Sequence, residues 1–284
     1  MKRLFCSAFI VGALFVAPLS AMAQSRPLAT EDPETVPAGF ILLETGIDFL
    51  HGVTFPVSGL TGKLSRLGTF GVSFGVGSLA EIQVDGSLLN TLKITSVNVV
   101  APLAPLYTGD AVSTSSFGDL TVGAKVRIVT ETETRPGLAV RFATQLPVNG
   151  PSTGIGTSTT DFTVGLAIGK TVESVRVVGN VGLGILGDPL IGHRQNHLLM
   201  YGVSIARAMG KGSELVAEMN GRIDTGSDVP PLGTDSLMIV RVGGRFTHKS
   251  VRFDGGLLIG VTDRDPAWGF TVGATWVFKA FDVK

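Results

Sequence analysis

The sequence predicts an all-β fold: a transmembrane, up-and-down antiparallel β-barrel of about twelve strands, as periodicity and strand length together indicate. Three observations predict it. The first is strict alternation. Leu120, Val122, Ala124, Val126 and Ile128 interleave with Asp119, Thr121, Gly123, Lys125 and Arg127. After a breaker (Thr130 to Gly137, with Arg135-Pro136-Gly137), Leu138, Val140 and Phe142 interleave with Ala139, Arg141, Ala143 and Gln145. A period of two on both sides of a turn makes a hairpin with one apolar and one polar face. The second is length, because each arm runs for about ten residues, which a tilted strand needs to cross a bilayer core. The third is repetition: the remaining chain reads as more such arms, joined by connections that alternate long and short.

The first 23 residues read as a leader outside this pattern. Lys2 and Arg3 precede an apolar stretch from Leu4 to Leu19, and Ala21-Met22-Ala23 is a small-residue cleavage site. That is the layout of a secretory signal peptide, so the expected route leads out of the cytoplasm. Ser7, Gly12 and Pro18 interrupt the stretch and argue against a membrane anchor. Cys6, the single cysteine, lies within the leader, so the 261 residues that follow have no disulfide to stabilise them. They carry 21 basic residues against 23 acidic once Lys2 and Arg3 are removed, a balance that argues against a nucleic-acid partner. No apolar run after residue 23 reaches the roughly 18 residues of a membrane helix. A membrane-spanning version must therefore be a closed barrel, because open sheet edges in lipid leave backbone groups unpaired.

Gln24 to Ala38 is polar, holds Pro27, Pro33 and Pro37, and is expected to be an irregular periplasmic segment ahead of the barrel (39–278). Strands follow over Gly39–Leu50, Lys63–Val76 and Ala80–Ile94, with a loop at His51–Gly62 and a tight turn at Gly75–Leu79. In the third strand, Ile82, Val84, Leu88, Leu92 and Ile94 are set against Glu81, Gln83, Asp85 and Ser87. The long loop Thr95–Ser116 leads to the hairpin described above, and Pro147–Ser158 is a Gly/Ser/Thr loop. Further strands are Asp161–Lys170, Val175–Leu186, Leu198–Arg207, Glu214–Ile223, Leu237–Phe246, Val251–Val261 and Trp268–Phe278, with Lys279–Lys284 as a tail. An even strand count with long connections at one end and short ones at the other is the outer-membrane pattern.

Two aromatic belts fit that pattern. Phe74, Phe246, Phe253, Trp276 and Phe278 gather near the short-turn rim, and Phe49, Phe142, Phe162 and Phe270 near the other. Trp276-Val277-Phe278 resembles the aromatic C-terminal signature of bacterial barrel proteins, although six residues follow it. Alternation alone does not decide which face is inside. A soluble barrel would turn the apolar set inward; the belts, loop asymmetry and leader favour the membrane arrangement.

Pro27, Thr30-Glu31, Glu34-Thr35-Val36-Pro37, Gly39 and Glu44 resemble the N-terminal signature of an outer-membrane barrel family named for the MetA pathway of phenol degradation, whose members are labelled transporters. Ser116-Phe117-Gly118-Asp119-Leu120, Gly123, Lys125 and Leu146-Pro147 fit the middle of the same family. Val148-Asn149-Gly150 stands where that family tends to have Thr-Gly. The resemblance spans most of residues 26–278. It implies a barrel and the passage of small aromatic or apolar compounds.

The inward set is expected to hold Glu44, Asp48, Glu81, Asp85, Asp119, Lys125, Arg127, Arg141, Arg176, Glu218, Arg222, Arg241, Arg245, Arg252 and Asp254. Acids dominate the first three strands and bases the fourth, fifth, seventh and tenth. These residues suit a charged pore, and they equally suit ion pairs between neighbouring strands, which buried charges require. About twelve strands lie between barrels filled by side chains and open porins, so a narrow or partly plugged path is expected. His193 and His197 sit four apart in a loop with Gly192, Arg194, Gln195 and Asn196, without the helix and further ligands of a metal site. His51 and His248 fall at strand ends. No predicted strand pairs a lipid-facing His with a Ser, so nothing supplies the base of a nucleophile pair and no enzyme is expected. Gly154-Ile155-Gly156 and Gly182-Leu183-Gly184 lack the helix start of a phosphate loop.

These readings lead to a bacterial outer-membrane barrel that passes small molecules without energy or cofactor. Its expected partners are outer-membrane lipid, the barrel-assembly machinery and a small-molecule permeant. Two alternatives stay open: a structural or adhesive barrel with a plugged lumen, whose Thr95–Ser116 loop caps the mouth or binds partners, and a soluble periplasmic carrier.

Overall fold

A computed structural model describes residues 25–226 and 229–282. The leader Met1–Ala23 lies outside the described residues, as does the end of the tail. The strands are β1 (Phe40–Phe55), β2 (Leu60–Gly75), β3 (Ala80–Val97), β4 (Ser113–Ser116), β5 (Leu120–Val129), β6 (Gly137–Leu146), β7 (Asp161–Val172), β8 (Val175–Gly187), β9 (Gln195–Gly210), β10 (Ser213–Asp224), β11 (Leu237–His248), β12 (Val251–Gly260) and β13 (Trp268–Lys279). Neighbours in sequence pair antiparallel from β5 through β13, β13 pairs with β1, and β1, β2, β3 and β5 complete the ring. The result is a closed barrel of twelve strands. β4 is a short addition on the outer half of β3, pairing Ser116 with Asn90 and Ser113 with Lys93.

Closure is the consequence of uninterrupted ladders. β13 meets β1 over twelve registered pairs, from Phe40↔Lys279 to His51↔Trp268. The twelve-strand ring has no free edge, and only the short β4 is paired on one side, which is what lets the ring stand in a medium without hydrogen-bonding solvent. Along β12, Arg252 and Asp254 are buried while Phe253, Leu257 and Ile259 are exposed. The same sorting holds for Val240 and Val242 on β11, and for Val122 and Val126 on β5. The apolar set faces out and the charged set faces in, the reverse of a soluble barrel. Phe49 stacks on Phe270, with ring centroids 4.8 Å apart, and Trp276 packs on Phe278 at 4.4 Å.

Three local expectations change. The loop at His51–Gly62 shrinks to a four-residue connection, because β1 continues to Phe55 and β2 begins at Leu60. Gly52, at φ +73°, takes the left-handed conformation open to glycine and absorbs a bulge between His51 and Val53 without ending the strand. On β3, Leu92 faces inward and not to the lipid side. Ser87 is buried in the lumen, Leu88 and Leu89 are both exposed, and Leu92 is fully buried, so the alternation changes face there. Opposite this point Gly68 sits at φ +64° between Leu67 and Thr69, which lets β2 change face in step. The flip gathers Leu50, Leu60, Leu64, Leu92 and Leu258 into an apolar cluster inside the long-loop end. Tyr107 and Ile155 from the two longest connections pack against it. Finally, the loop 95–116 is partly ordered by β4 and a 3-10 turn at Ala104–Leu106.

Candidate functional site: a charged lumen filled by the N-terminal segment

Residues 25–38 have no regular structure, as expected, but they lie within the barrel lumen. Pro27, Pro33 and Pro37 remove amide donors, and the amides that remain take acceptors from the wall. Ala29 N–H donates to both oxygens of Glu218 (2.8 and 2.9 Å), and Thr30 donates to Glu218 from its amide (2.7 Å) and hydroxyl (2.6 Å). Glu31 N–H donates to Asn180 Oδ1 (2.7 Å) and Val36 N–H to Glu81 Oε2 (2.5 Å). The wall makes room with glycines. A Cβ on the cross-strand partners Gly46 and Gly273 would meet the Arg26 guanidinium, and one on the partners Gly243 and Gly256 would meet Pro27. A Cβ on Gly169 would lie 2.9 Å from Pro33. The segment therefore follows a groove cut into the lumen face.

Its charges match the wall in order. Arg26 donates to Thr69 (3.2 Å), Thr271 (2.7 Å) and the Val272 carbonyl (3.1 Å), with Asp254 at 3.5 Å and Asp48 at 4.0 Å. Glu31 lies 3.3 Å from both Lys125 and Arg141. Asp32 takes a bidentate pair from Arg176 (2.5 and 2.7 Å), the fork geometry that suits a carboxylate best. Glu34 pairs with Arg127 at 2.5 Å. Burial alone would push the Glu31 carboxyl up, but Arg141 and Lys125 beside it outweigh that and hold it below the ordinary glutamate value.

The sequence-derived inward residues fall into three groups. Lys125, Arg127, Arg141, Arg176, Glu81, Glu218, Glu44, Asp48, Asp254 and Arg245 each touch the N-terminal segment; Arg245 donates to the carbonyls of Arg26 and Ser25 at 2.7 Å. Several also pair across adjacent strands, Lys125–Glu81 (3.1 Å), Arg241–Glu218 (2.5 Å) and Arg245–Glu214 (3.6 Å), and Arg141 on β6 reaches over β5 to Asp85 on β3 (3.7 Å). The others serve the two ends of the lumen. Asp119 accepts from Gln145 (3.1 Å) and Val148 N–H (3.1 Å), and Arg222 donates to the carbonyls of Asp235 and Gly233. Arg252 is buried, and its Nε has no hydrogen-bond partner. Sequence reasoning missed Arg26, Glu31, Asp32 and Glu34, and the glycine groove that receives them.

The segment divides the lumen. On the long-loop side a cavity of about 530 Å³ is bounded by Arg26, Asp48, Arg66, Asp85, Asp119 and Phe117, and another of about 290 Å³ by Phe55, Asp161, Arg222 and Gly233. Beside the segment a third of about 220 Å³ runs between Ala29–Glu31 and β6–β10. Toward the short turns, about 140 Å³ is left near Asp32, Arg176 and Arg252. Among the described residues no group of His, Asp and Glu could hold a metal ion, and no helix is long and apolar enough to cross a membrane.

No protein-family model matches the chain, and no curated protein matches it. Its fold is similar to that of solved barrels. An outer membrane channel from Pseudomonas putida F1 aligns with a TM-score of 0.60 at 14% identity, over 87% of this chain and 98% of that one. The NanC porin aligns at 0.49 with 8% identity, over 86% of this chain and 100% of that one. The KdgM porin, solved in complex with disordered oligogalacturonate, aligns at 0.49 with 10% identity, over 84% and 99%. The first establishes a common architecture: a closed antiparallel barrel of the kind found in outer-membrane channels.

Proposed function

We propose that the protein is a passive outer-membrane channel for small molecules, closed at rest by its own N-terminal segment. The observation that carries this reading is the sorting of side chains: apolar residues line the outer face and ionic residues point inward around residues 25–38, with an inward leucine cluster confined to the long-loop end. A wall of that kind suits lipid outside and a wet interior within. The channel from Pseudomonas putida F1 supports the reading through a shared fold. The resemblance of Pro27, Thr30-Glu31, Glu34–Pro37 and Ser116–Leu120 to the phenol-pathway barrel family adds aromatic and apolar compounds as the permeant class. Export through the leader and insertion by the barrel-assembly machinery belong to the same proposal.

The test is a reversible lock on the segment. A Cβ built on Gly202 would lie 3.1 Å from Thr30 Oγ1 and 3.7 Å from Thr30 Cγ2. Thr30 Oγ1 marks the place a cysteine Sγ would take, and a Cβ about 3.1 Å from it is within reach of a sulfur bonded to it at the usual S–S length of about 2.05 Å. Thr30→Cys/Gly202→Cys in an otherwise cysteine-free mature chain should conduct in planar bilayers when reduced and fall silent when oxidised. A folded protein silent in both states would overturn the channel reading. The packing of Tyr107 and Ile155 against the leucine cluster at the long-loop end favours the second reading, an adhesive barrel; there, deleting loop residues would abolish surface attachment and leave conductance absent.

A further inference from the structure

We propose that Glu31 occupies a built-in carboxylate subsite, and that the permeants able to take its place are small monocarboxylates with an apolar body. This deepens the channel reading and rests on it for the sense in which the ligand is a permeant. Binding itself can be measured without flux.

The subsite is made by three neighbouring strands. Lys125 on β5 is fully buried, with Nζ 3.3 Å from Glu31 Oε2 and 3.1 Å from Glu81. Arg141 on β6 lies opposite Lys125 in the ladder and brings its Nε to 3.3 Å from Glu31 Oε1. Gln83 on β3 donates to Glu31 Oε2 at 3.4 Å and accepts from Arg141 at 2.7 Å. Both carboxylate oxygens are thus engaged by groups that belong to the wall and stay there whether or not the segment does. Glu81 neutralises Lys125, and Asp85 lies 3.7 Å from Arg141. Without Glu31 the Arg141 guanidinium keeps only Asp85, at 3.7 Å, as a carboxylate partner and loses the one at its Nε, so the partly buried pair of cations favours an anion that fits between them.

The space beside the subsite selects what the anion carries. The cavity of about 220 Å³ begins at Glu31 and Arg141 and continues past Gly165, Ala167, Gly182 and Met200. Its wall is small and mostly apolar, so a carboxylate held by Lys125 and Arg141 would lay a compact hydrocarbon or ring against it. A dianion would place its second charge among those glycines with no cation to meet it, at a large desolvation cost. A neutral compound would not replace the carboxylate that Lys125 and Arg141 lose with Glu31. The acidic residue is therefore a tethered competitor: it closes the lumen by imitating the ligand.

The experiment measures equilibrium binding of benzoate and of benzyl alcohol to the full mature chain, folded in detergent and checked by heat-modifiable mobility. Four proteins are compared: wild type, Glu31→Gln, Glu31→Gln/Arg141→Gln and the Thr30→Cys/Gly202→Cys pair. Glu31→Gln should bind benzoate at least tenfold more tightly than wild type and at least tenfold more tightly than it binds benzyl alcohol. The added Arg141→Gln should remove that preference. Should Glu31→Gln not fold, the disulfide pair serves, with benzoate excluded when oxidised and admitted when reduced. Equal affinity for the two probes, or no gain on removing Glu31, overturns the proposal. Conductance of the same preparations separates the two ideas. Benzoate binding without conductance removes the channel reading and keeps the subsite, whereas conductance without benzoate preference does the opposite.

Discussion

Glu218 is the point at which the N-terminal segment can be released most directly. Its side chain is fully buried and accepts three donors from the segment, Ala29 N–H, Thr30 N–H and the Thr30 hydroxyl, in addition to Arg241. A hydrogen bond to a charged group contributes about 1.5–3 kcal/mol. Bonds that share one carboxylate do not add, and removing one partner of a buried charge pair costs about 3–5 kcal/mol in all. Part of that cost falls on Arg241, which keeps Asn220 at 2.5 Å as a partner. The share that falls on seating the segment is therefore about 3 kcal/mol, because the released amides regain water. At 1.4 kcal/mol per tenfold, Glu218→Ala should shift the seated-to-released ratio by about 100-fold. Thr30→Ala, which removes one of the three donors, should shift it about tenfold, as one charge-assisted bond implies. Two readouts follow the same equilibrium: open probability in planar bilayers, and maleimide labelling of Leu28→Cys, a position only 9% exposed. Both should rise together. A folded Glu218→Ala barrel in which both readouts stay within threefold of the parent would refute the idea that these bonds hold the segment in place.

Acid should open the same gate. The Glu31 carboxyl faces Lys125, Arg141 and Gln83, with Glu81 and Asp85 behind them, and the seated form holds it below the ordinary value of about 4.3. A depressed carboxyl contributes to seating above that value, and the contribution is lost as pH falls toward the seated pKa. Open probability in planar bilayers should be flat from pH 7 to about 5 and rise below about 4, where unpaired carboxylates protonate; an open probability that rises with alkali instead would reverse the sign. On the outer face, Leu257 stands between Val242 and Phe270 across the ladder. Leu257→Arg should cost about 2–4 kcal/mol if it lies near the bilayer midplane, read as a lower urea midpoint for folding into liposomes. An unchanged midpoint would mean that this face does not meet lipid.

Much of the barrel was legible because a period of two is a local signal. The hairpin from Leu120 to Leu146 pairs as the alternation requires, Lys125 opposite Arg141 and Ala124 opposite Phe142. What misled was also local. The stretch from His51 to Gly62 was expected to be a loop, yet its Gly52 and Gly59, both at positive φ, carry a bulge and a tight turn while the strands run on. Leu92 looked lipid-facing because the alternation of Glu81 to Ser87 was extended past Leu88, where the chain changes face. Nothing in β3 itself marks that change. Gly68 on the facing strand does, and a single-strand reading does not see it.

The segment 25–38 was hidden for a different reason. It has no periodicity, and prolines in polar sequence read as a lead-in to be passed over. Its signal was an imbalance elsewhere: bases crowd the fourth, fifth and seventh strands, and cross-strand acids do not match them. Structure supplies the missing carboxylates from Glu31, Asp32 and Glu34, each on a base of those strands. A barrel of twelve strands leaves more space than its side chains fill, and buried cations in that space must find anions or be neutralised. Lumen charge that fails to balance strand against strand therefore implies something else in the lumen, a segment of the same chain or a ligand. Here the segment meets that demand at the Arg141 subsite, and so must compete with any small carboxylate that reaches it.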